Sequence, residues 1–219
     1  MLTVVIAEAE LELVPEEALN EPCVVASARK RGKRPEEILL DSSYHHNAEV
    51  CRSGRRGRPD IAHITLQVLQ ESLLNQLGGL RVFVHTRNDE IISVSPEARL
   101  PKNYNRFCGL MEKLFKERTI KTEDGRELLH MEHKAIDQLL NELDGTKILL
   151  HPEGAQLSVS SKNEDLVAVI GGFPHGDFQR EYELERFRVG DVELTPWATA
   201  MELMCWYKST PAGESAILK

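Results

Sequence analysis

The sequence predicts an α/β fold with a largely parallel sheet flanked by helices. The chain opens on LTVVIAEA, an apolar, β-branched run of the kind that forms a buried strand. Amphipathic helical stretches then alternate with short apolar strands. The later strands end in loops marked by glycine and proline, HPEG and GGFPHG. In open α/β sheets ligands bind beyond the carboxyl ends of strands, which makes these loops a pocket candidate.

Each element has its own signal. After the opening strand, RKRGKRP at 29–35 reads as a loop, and EILLD, from Glu36, as a short strand. SSYHHNAEVCRSGRRGRP is polar, basic and rich in Gly and Ser, and reads as a long exposed loop. From Pro59 the pattern becomes helical: Ile61, Ile64, Leu66, Val68, Leu69, Leu73 and Leu74 recur at helical spacing. Pro59 suits the first position, Asp60 the first turn, and Gly78-Gly79 the stop. LRVFVHT and EIISVSP are strands joined through RNDE. Asn103 or Asn105 can cap a helix through RFCGLMEKLFKE. RTIKTEDGRELLHM reads as a hairpin turning at Asp124-Gly125. HKAIDQLLNELDG is an amphipathic helix stopped by Gly145. TKILLHPEG, LVAVIGGFPHG and FRVGDVEL follow as strands, and TPWATAMELMCWYK closes as a helix with Pro196 near its start.

Bulk properties exclude several classes. The chain has 219 residues, 41% apolar and 28% charged, which argues against long-range disorder. No apolar run reaches the roughly 18 residues of a membrane span. The N-terminus lacks a basic region and turns acidic at Glu8, so no signal peptide is expected. Cys23, Cys51, Cys108 and Cys205 are far apart with no CxxC, against a zinc ribbon or a disulfide scaffold and in favour of a reducing compartment. His45-His46 near Cys51, and His130 with His133, are incomplete metal patterns, so no metal is expected.

The formal net charge of −8 hides an asymmetry, because residues 22–58 hold nine Lys/Arg against four Asp/Glu. This is either a local polyanion site or a solvated basic loop. PEARLPKNYNRF mixes Arg99, Lys102 and Arg106 with Asn103, Tyr104 and Asn105. Cations, amides and an aromatic together suit unpaired RNA bases better than a salt-bridged helix face. GxGxxG after a strand and GxxxxGK[ST] are both missing. GGFPHGD can present backbone amides to an adenine or a carboxylate, or be a plain turn. Asp60, beside Arg58, can orient the arginine, accept a proton, or cap its helix.

RRGRPDIAHITL, HTRNDEIISVSPEARLPKNYNRFCGLMEKL and VIGGFPHGDF together resemble the small-subunit ribosome-assembly methyltransferases that modify pseudouridine at ring nitrogen 1. This is the nucleolar essential protein family, of the SPOUT or α/β-knot class. The similarity spans nearly the whole chain, and the arginine-proline-aspartate and PEARLPKNYNRF elements are the most specific. The resemblance implies a single SPOUT-type domain over 1–219 with a C-terminal trefoil knot, an exception to unknotted chains. It also implies basic RNA-binding insertions around 22–58 and 96–107. S-adenosylmethionine would be the methyl donor, held by His151, Gly154, Ile170, Gly171, Gly172, Gly176, Val192, Leu194 and Trp197. Small-subunit rRNA would bind across a homodimer interface through Arg55, Arg58, Arg99, Lys102, Asn103, Tyr104 and Arg106. Lys102 stands where some members have arginine, so it keeps the charge and loses the planar fork. Other assembly factors or ribosomal proteins are further partners. Without a long N-terminal extension the chain looks archaeal, hence cytoplasmic; a eukaryotic member would be nucleolar.

For the chemistry, Asp60 and Arg58 are the candidate catalytic pair. Asp60 would accept or orient the N–H of the base, or only fix Arg58, which would hold a phosphate or a uracil carbonyl. The alternatives are a non-catalytic rRNA-binding assembly factor, a nuclease drawing on His63 or His85, and unspecific binding through the 29–58 region.

Overall fold

The structure, a computed structural model, describes residues 1–158 and 165–217. Its centre is β1 (Leu2–Ala9), buried along its whole length because strands pair on both sides and helices cover both faces. β2 (Leu80–Thr86) and β7 (Leu166–Gly171) flank it in parallel register, Val4 opposite Val82 and Ala168. β6 (Thr146–Gln156) and β8 (Glu185–Arg188) continue the parallel block outward. On the other side β3 (Glu90–Val94), β5 (Glu127–His133) and β4 (Thr119–Lys121) add antiparallel strands. The order across the sheet is β4-β5-β3-β2-β1-β7-β6-β8.

The alternation of β1 sorts its side chains between two cores. Leu2, Val4 and Ile6 face α3 (Pro59–Gln70), α5 (Tyr104–Glu117), α7 (Pro196–Lys208) and α8 (Pro211–Ile217), through Leu66, Phe107, Leu203 and Ala212. Val5 and Ala7 face the opposite side, where α6 (Ile136–Glu142) contributes Ile136, Leu139 and Leu140. A third, smaller core belongs to residues 14–51. There α1 (Pro22–Lys30) and α2 (Ser42–His45) pack around Val24, Ala28, Ile38, Leu40 and Cys51.

The largest departures from expectation lie in that insertion. Patterning does not reveal α1, whose buried stripe is only Val24 and Ala28. The strand expected from Glu36 is a 3-10 turn at Pro35–Glu37 followed by a single bridge, Leu13 to Leu39. Pro35 and the capping residue Asp41 leave too few residues for a ladder. The long exposed loop at 42–58 is instead α2 plus a turn at Glu49–Cys51, with His45, Ala48 and Cys51 buried. The helix expected from Pro59 to Gly78 breaks at Ser72, whose side chain accepts the Asn75 N–H and starts α4 (Leu73–Gln76). The strand expected over FRVGDVEL stops at Arg188.

Candidate active site

Three loops at the carboxyl ends of β6, β7 and β8 enclose a cavity of about 600 Å³, within the usual range for small-molecule sites. The first is a bulge. Leu150 and Ala155 both pair with Phe187, so residues 151–154 are looped out of the β6–β8 ladder. The second follows β7 from Gly171 to Phe178, and the third runs from Arg188 to Thr195 into α7. Of the expected donor-binding residues, His151, Ile170, Gly171, Gly176, Val192 and Leu194 line the cavity.

Gly154, Gly172 and Trp197 do not line it. A Cβ on Gly154 would meet the Phe187 backbone nitrogen at 2.5 Å, so this glycine permits β6 and β8 to approach. Gly172 packs at 2.7 Å from the Ala9 Cα, measured from a built Cβ, and is tied to β1 by Gly172 N–H to Ala7 O and Glu10 N–H to Gly172 O. Trp197, in the first turn of α7, is off the lining. Phe173 and Thr195, inside the expected GGFPHG and DVELTPW loops but not singled out, also line it, as do Val189 and Thr199, which sequence reasoning missed. Thr195 was readable as the residue before the proline that opens α7.

His151 has a fixed tautomer. Its Nδ1 accepts the Glu153 N–H at 3.1 Å, so Nε2 carries the proton and donates to Asp177 at 3.1 Å. The Phe178 N–H holds the Asp177 carboxyl below its ordinary value, with His151 adding to the effect. The wall thus offers apolar surface from Leu150, Ile170, Val189 and Leu194, hydroxyls from Thr195 and Thr199, and one oriented imidazole–carboxylate pair. That mixture suits an adenosine carrying an amino-acid chain.

The second feature is cationic. Arg58 lies against Asp60 in a two-point contact, Nε to Oδ1 at 2.9 Å and Nη2 to Oδ2 at 2.7 Å. Both side chains are about one-third exposed, and the Asp60 contact pushes the guanidinium pKa up. Asn103 caps α5 through the Arg106 N–H. Arg99 and Arg106 are exposed and form no ion pair among the described residues, while Lys102 reaches Glu71 at 3.1 Å.

Two expected contact residues are turned inward. The Tyr104 hydroxyl donates to Asp41 at 2.6 Å; burial, then that bond, pushes its pKa up, and the ring packs beside His63. Arg55 is only 12% exposed and pairs with Glu8 and Glu10. Nor is the basic insertion a free polycation. Among the described residues, seven of its nine cations are in ion pairs: Arg31 and Lys33 on Glu112, Arg34 on Glu36 and Glu37, Arg52 on Glu49, Arg55 on Glu8 and Glu10, Arg56 on Glu12 and Glu17, and Arg58 on Asp60. His63 bonds the Pro101 carbonyl region and stacks on Phe107, and His85 lies between the Glu8 N–H and Asp89, so neither histidine faces a nucleolytic partner. Among the described residues no group of His, Cys, Asp and Glu could hold a metal ion.

A family model described as EMG1/NEP1 methyltransferase matches residues 4–208. The chain belongs to this family. The Thermococcus kodakarensis protein named ribosomal RNA small subunit methyltransferase Nep1 is 48% identical over 93% of this chain and 96% of its own. The Thermoplasma acidophilum protein of the same name is 44% identical over 95% and 97%. The crystal structure of Archaeoglobus fulgidus Nep1 bound to S-adenosylhomocysteine superimposes with a TM-score of 0.86 at 39% identity, covering 96% of this chain and 98% of that one. In this EMG1/NEP1 member, the α/β fold is therefore family architecture. No helix among the described residues is long and apolar enough to cross a membrane.

Proposed function

We propose that this protein transfers a methyl group from S-adenosylmethionine to ring nitrogen 1 of a pseudouridine in small-subunit rRNA, within ribosomal small-subunit assembly. The observation that carries the reading is the three-loop cavity at the sheet's carboxyl edge, in a chain whose 39%-identical structural neighbour was solved with S-adenosylhomocysteine. Bound S-adenosylmethionine supplies the electrophilic methyl group. The chain's own residues bind, orient and exclude water. His151, Thr195 and Thr199 offer hydrogen bonds to the donor's polar edge, and Leu150, Ile170 and Leu194 cover its apolar parts. In pseudouridine the sugar is attached through carbon, so ring nitrogen 1 bears a proton; that proton passes to solvent as the N–CH3 bond forms and the sulfonium S–CH3 bond breaks, leaving S-adenosylhomocysteine. Placing a flipped-out base in line with the methyl group accounts for most of the acceleration.

Arg58 is the substrate-binding residue of this scheme, contacting a phosphate or a uracil carbonyl. Asp60 orients it, because both carboxylate oxygens already face the guanidinium. Arg99, Lys102 and Arg106 bind phosphates. With Tyr104 hydrogen-bonded inward, the aromatic for base stacking is Tyr44. It is 52% exposed, and its hydroxyl donates to Asn105, next to Arg106, at 3.4 Å.

A homodimer with RNA across the interface fits α3 and α7, which pack together and expose Ile64 and Met201. The C-terminal trefoil knot rests on the family resemblance, and the strand order, with the later β7 inside the earlier β6, is compatible with it. The archaeal sources of the relatives favour a cytoplasmic location.

The test is transfer from labelled S-adenosylmethionine to two copies of one short rRNA hairpin, with uridine or pseudouridine at the target. Label in the pseudouridine copy alone supports the reading. Tight binding to both copies without label would favour a non-catalytic assembly factor.

A further inference from the structure

Arg55 sits three residues before Arg58, yet it serves the other site. Its Nε donates to Glu10 at 3.1 Å and its Nη2 to Glu8 at 3.2 Å. Its Nη1 donates to the backbone carbonyls of His175 at 3.2 Å and Asp177 at 2.9 Å. The guanidinium carbon stands 4.0 Å from the centre of the Phe173 ring. Phe173, His175 and Asp177 all line the cavity. One planar fork therefore holds both carbonyls and one ring face of the loop after β7.

Glu8 fastens the far end of the same loop. Its carboxylate accepts the Gln179 N–H at 2.8 Å, the Arg180 N–H at 3.0 Å and the Tyr182 hydroxyl at 3.4 Å. It does so from φ +51, a left-handed conformation that glutamate seldom adopts, where the β1–β2 register shifts between Ile6 and Ala9. Side chain and backbone together aim this acid at residues 179–182.

We propose that Arg55, seated on Glu8 and Glu10, is a positioning residue for the methyl donor: it holds the 173–178 loop in its donor-binding shape and does not contact RNA. The inference rests on the cavity being the donor site. A lysine here keeps the charge and reaches one acceptor, but it cannot span two carboxylates and two carbonyls.

The experiment measures S-adenosylhomocysteine affinity by calorimetry and hairpin affinity by anisotropy, in the full chain, for Arg55→Lys and Glu8→Gln. Loss of charge-assisted bonds predicts donor affinity about tenfold weaker in Arg55→Lys. KM for S-adenosylmethionine should rise in parallel, with kcat at saturating donor and hairpin affinity within about twofold of wild type. Arg58→Ala gives the opposite split, weaker hairpin binding with donor affinity retained. Glu8→Gln has a single acceptor oxygen, so it keeps one of the Gln179 and Arg180 amide bonds and loses the other together with the Arg55 charge contact; it loosens the same loop from the Glu8 side even where Arg55→Lys folds poorly, and should weaken donor binding in the same direction. Wild-type donor affinity in both variants overturns the proposal. So does a fall in hairpin affinity with donor affinity intact in Arg55→Lys, which would make Arg55 an RNA contact. No saturable S-adenosylhomocysteine binding by the wild type would instead overturn the donor-site reading beneath it.

Discussion

The Asp60 carboxylate lies edge to edge with the Arg58 guanidinium, and both of its oxygens are engaged at under 3 Å. A carboxylate held this way is better placed to aim its arginine than to receive a proton. Asp60→Asn should therefore weaken hairpin affinity and methyl transfer together, each by about tenfold, because an amide loses the charge and one of the two bonds. S-adenosylhomocysteine affinity should not move. A fall in kcat at unchanged hairpin affinity would restore the proton-acceptor role.

Tyr44 and Arg106 should separate stacking from charge. Tyr44→Ala should weaken hairpin binding by about tenfold, the scale of one stacked base, without altering its salt dependence. Tyr44→Phe should retain affinity. Arg106→Ala should reduce the slope of log affinity against log salt by about one. Equal affinities for the Tyr44 variants and wild type would leave the RNA face with cations alone.

Glu112 should be a stability hinge between the insertion and α5. Its buried carboxylate accepts from Arg31 at 2.7 Å, Lys33 at 2.6 Å and the Leu39 N–H at 3.1 Å. In Glu112→Ala the two cations, each about one-third exposed, can turn to water, but the Leu39 N–H loses its partner. A loss of about 2 kcal/mol in urea unfolding is expected, dominated by that buried amide.

Two histidines should set the acid side of the stability profile. Nδ1 of His85 accepts the Glu8 N–H, and Nδ1 of His45 accepts the Asp41 N–H. Burial, the larger effect in each, pushes both pKa values below the ordinary value. Below about pH 6.5 the unfolded chain takes up protons that the folded chain refuses, so stability is full above that pH and falls as pH drops towards the folded pKa values. Thermal melts between pH 8 and 5 should show this slope. His85→Asn, whose amide oxygen can still accept the Glu8 N–H, should flatten it; an unchanged slope would assign the acid loss to other groups.

Gly172 should tolerate no side chain. A Cβ there meets the Ala9 Cα at 2.7 Å and the Ile6 Cγ2 at 2.9 Å, and the Ala9 contact is backbone that cannot turn aside. Gly172→Ala should lower the melting temperature and weaken donor binding together, since the same residue leads into the cavity loop. An unaltered melting temperature would show that β1 and β7 can move apart at no cost.

Period and punctuation made much of the sheet legible. β1, β2, β3, the β4–β5 hairpin, α6 and α7 follow from apolar spacing, capping residues and turn glycines, all of which act within a few residues. The insertion was less legible because its core is small and its helices are short, so Val24, Ala28, Ile38 and Cys51 lie scattered among charges. The loops after β6 and β7 were readable as a pocket, and six of the nine expected donor-binding residues line it. Gly154 and Gly172, which the resemblance places among the donor-binding residues, lie off the cavity lining where backbones pack closely.

By itself the sequence determined which stretches become strands and helices, and that cations and an aromatic gather near Asn103. It also carried the family motifs. Tertiary structure decided which of those side chains remain available. Arg55 and Arg58 are the same residue type three positions apart, but Glu8 and Glu10 reach Arg55 from far back in the chain, while Arg58 pairs with its neighbour Asp60 and keeps about one-third of its side-chain surface exposed. Tyr104 is likewise taken by Asp41, leaving Tyr44 exposed. Helical and strand periodicity are short-range properties of the chain. Whether a charge or a hydroxyl meets water or a buried partner depends on residues brought together only by folding.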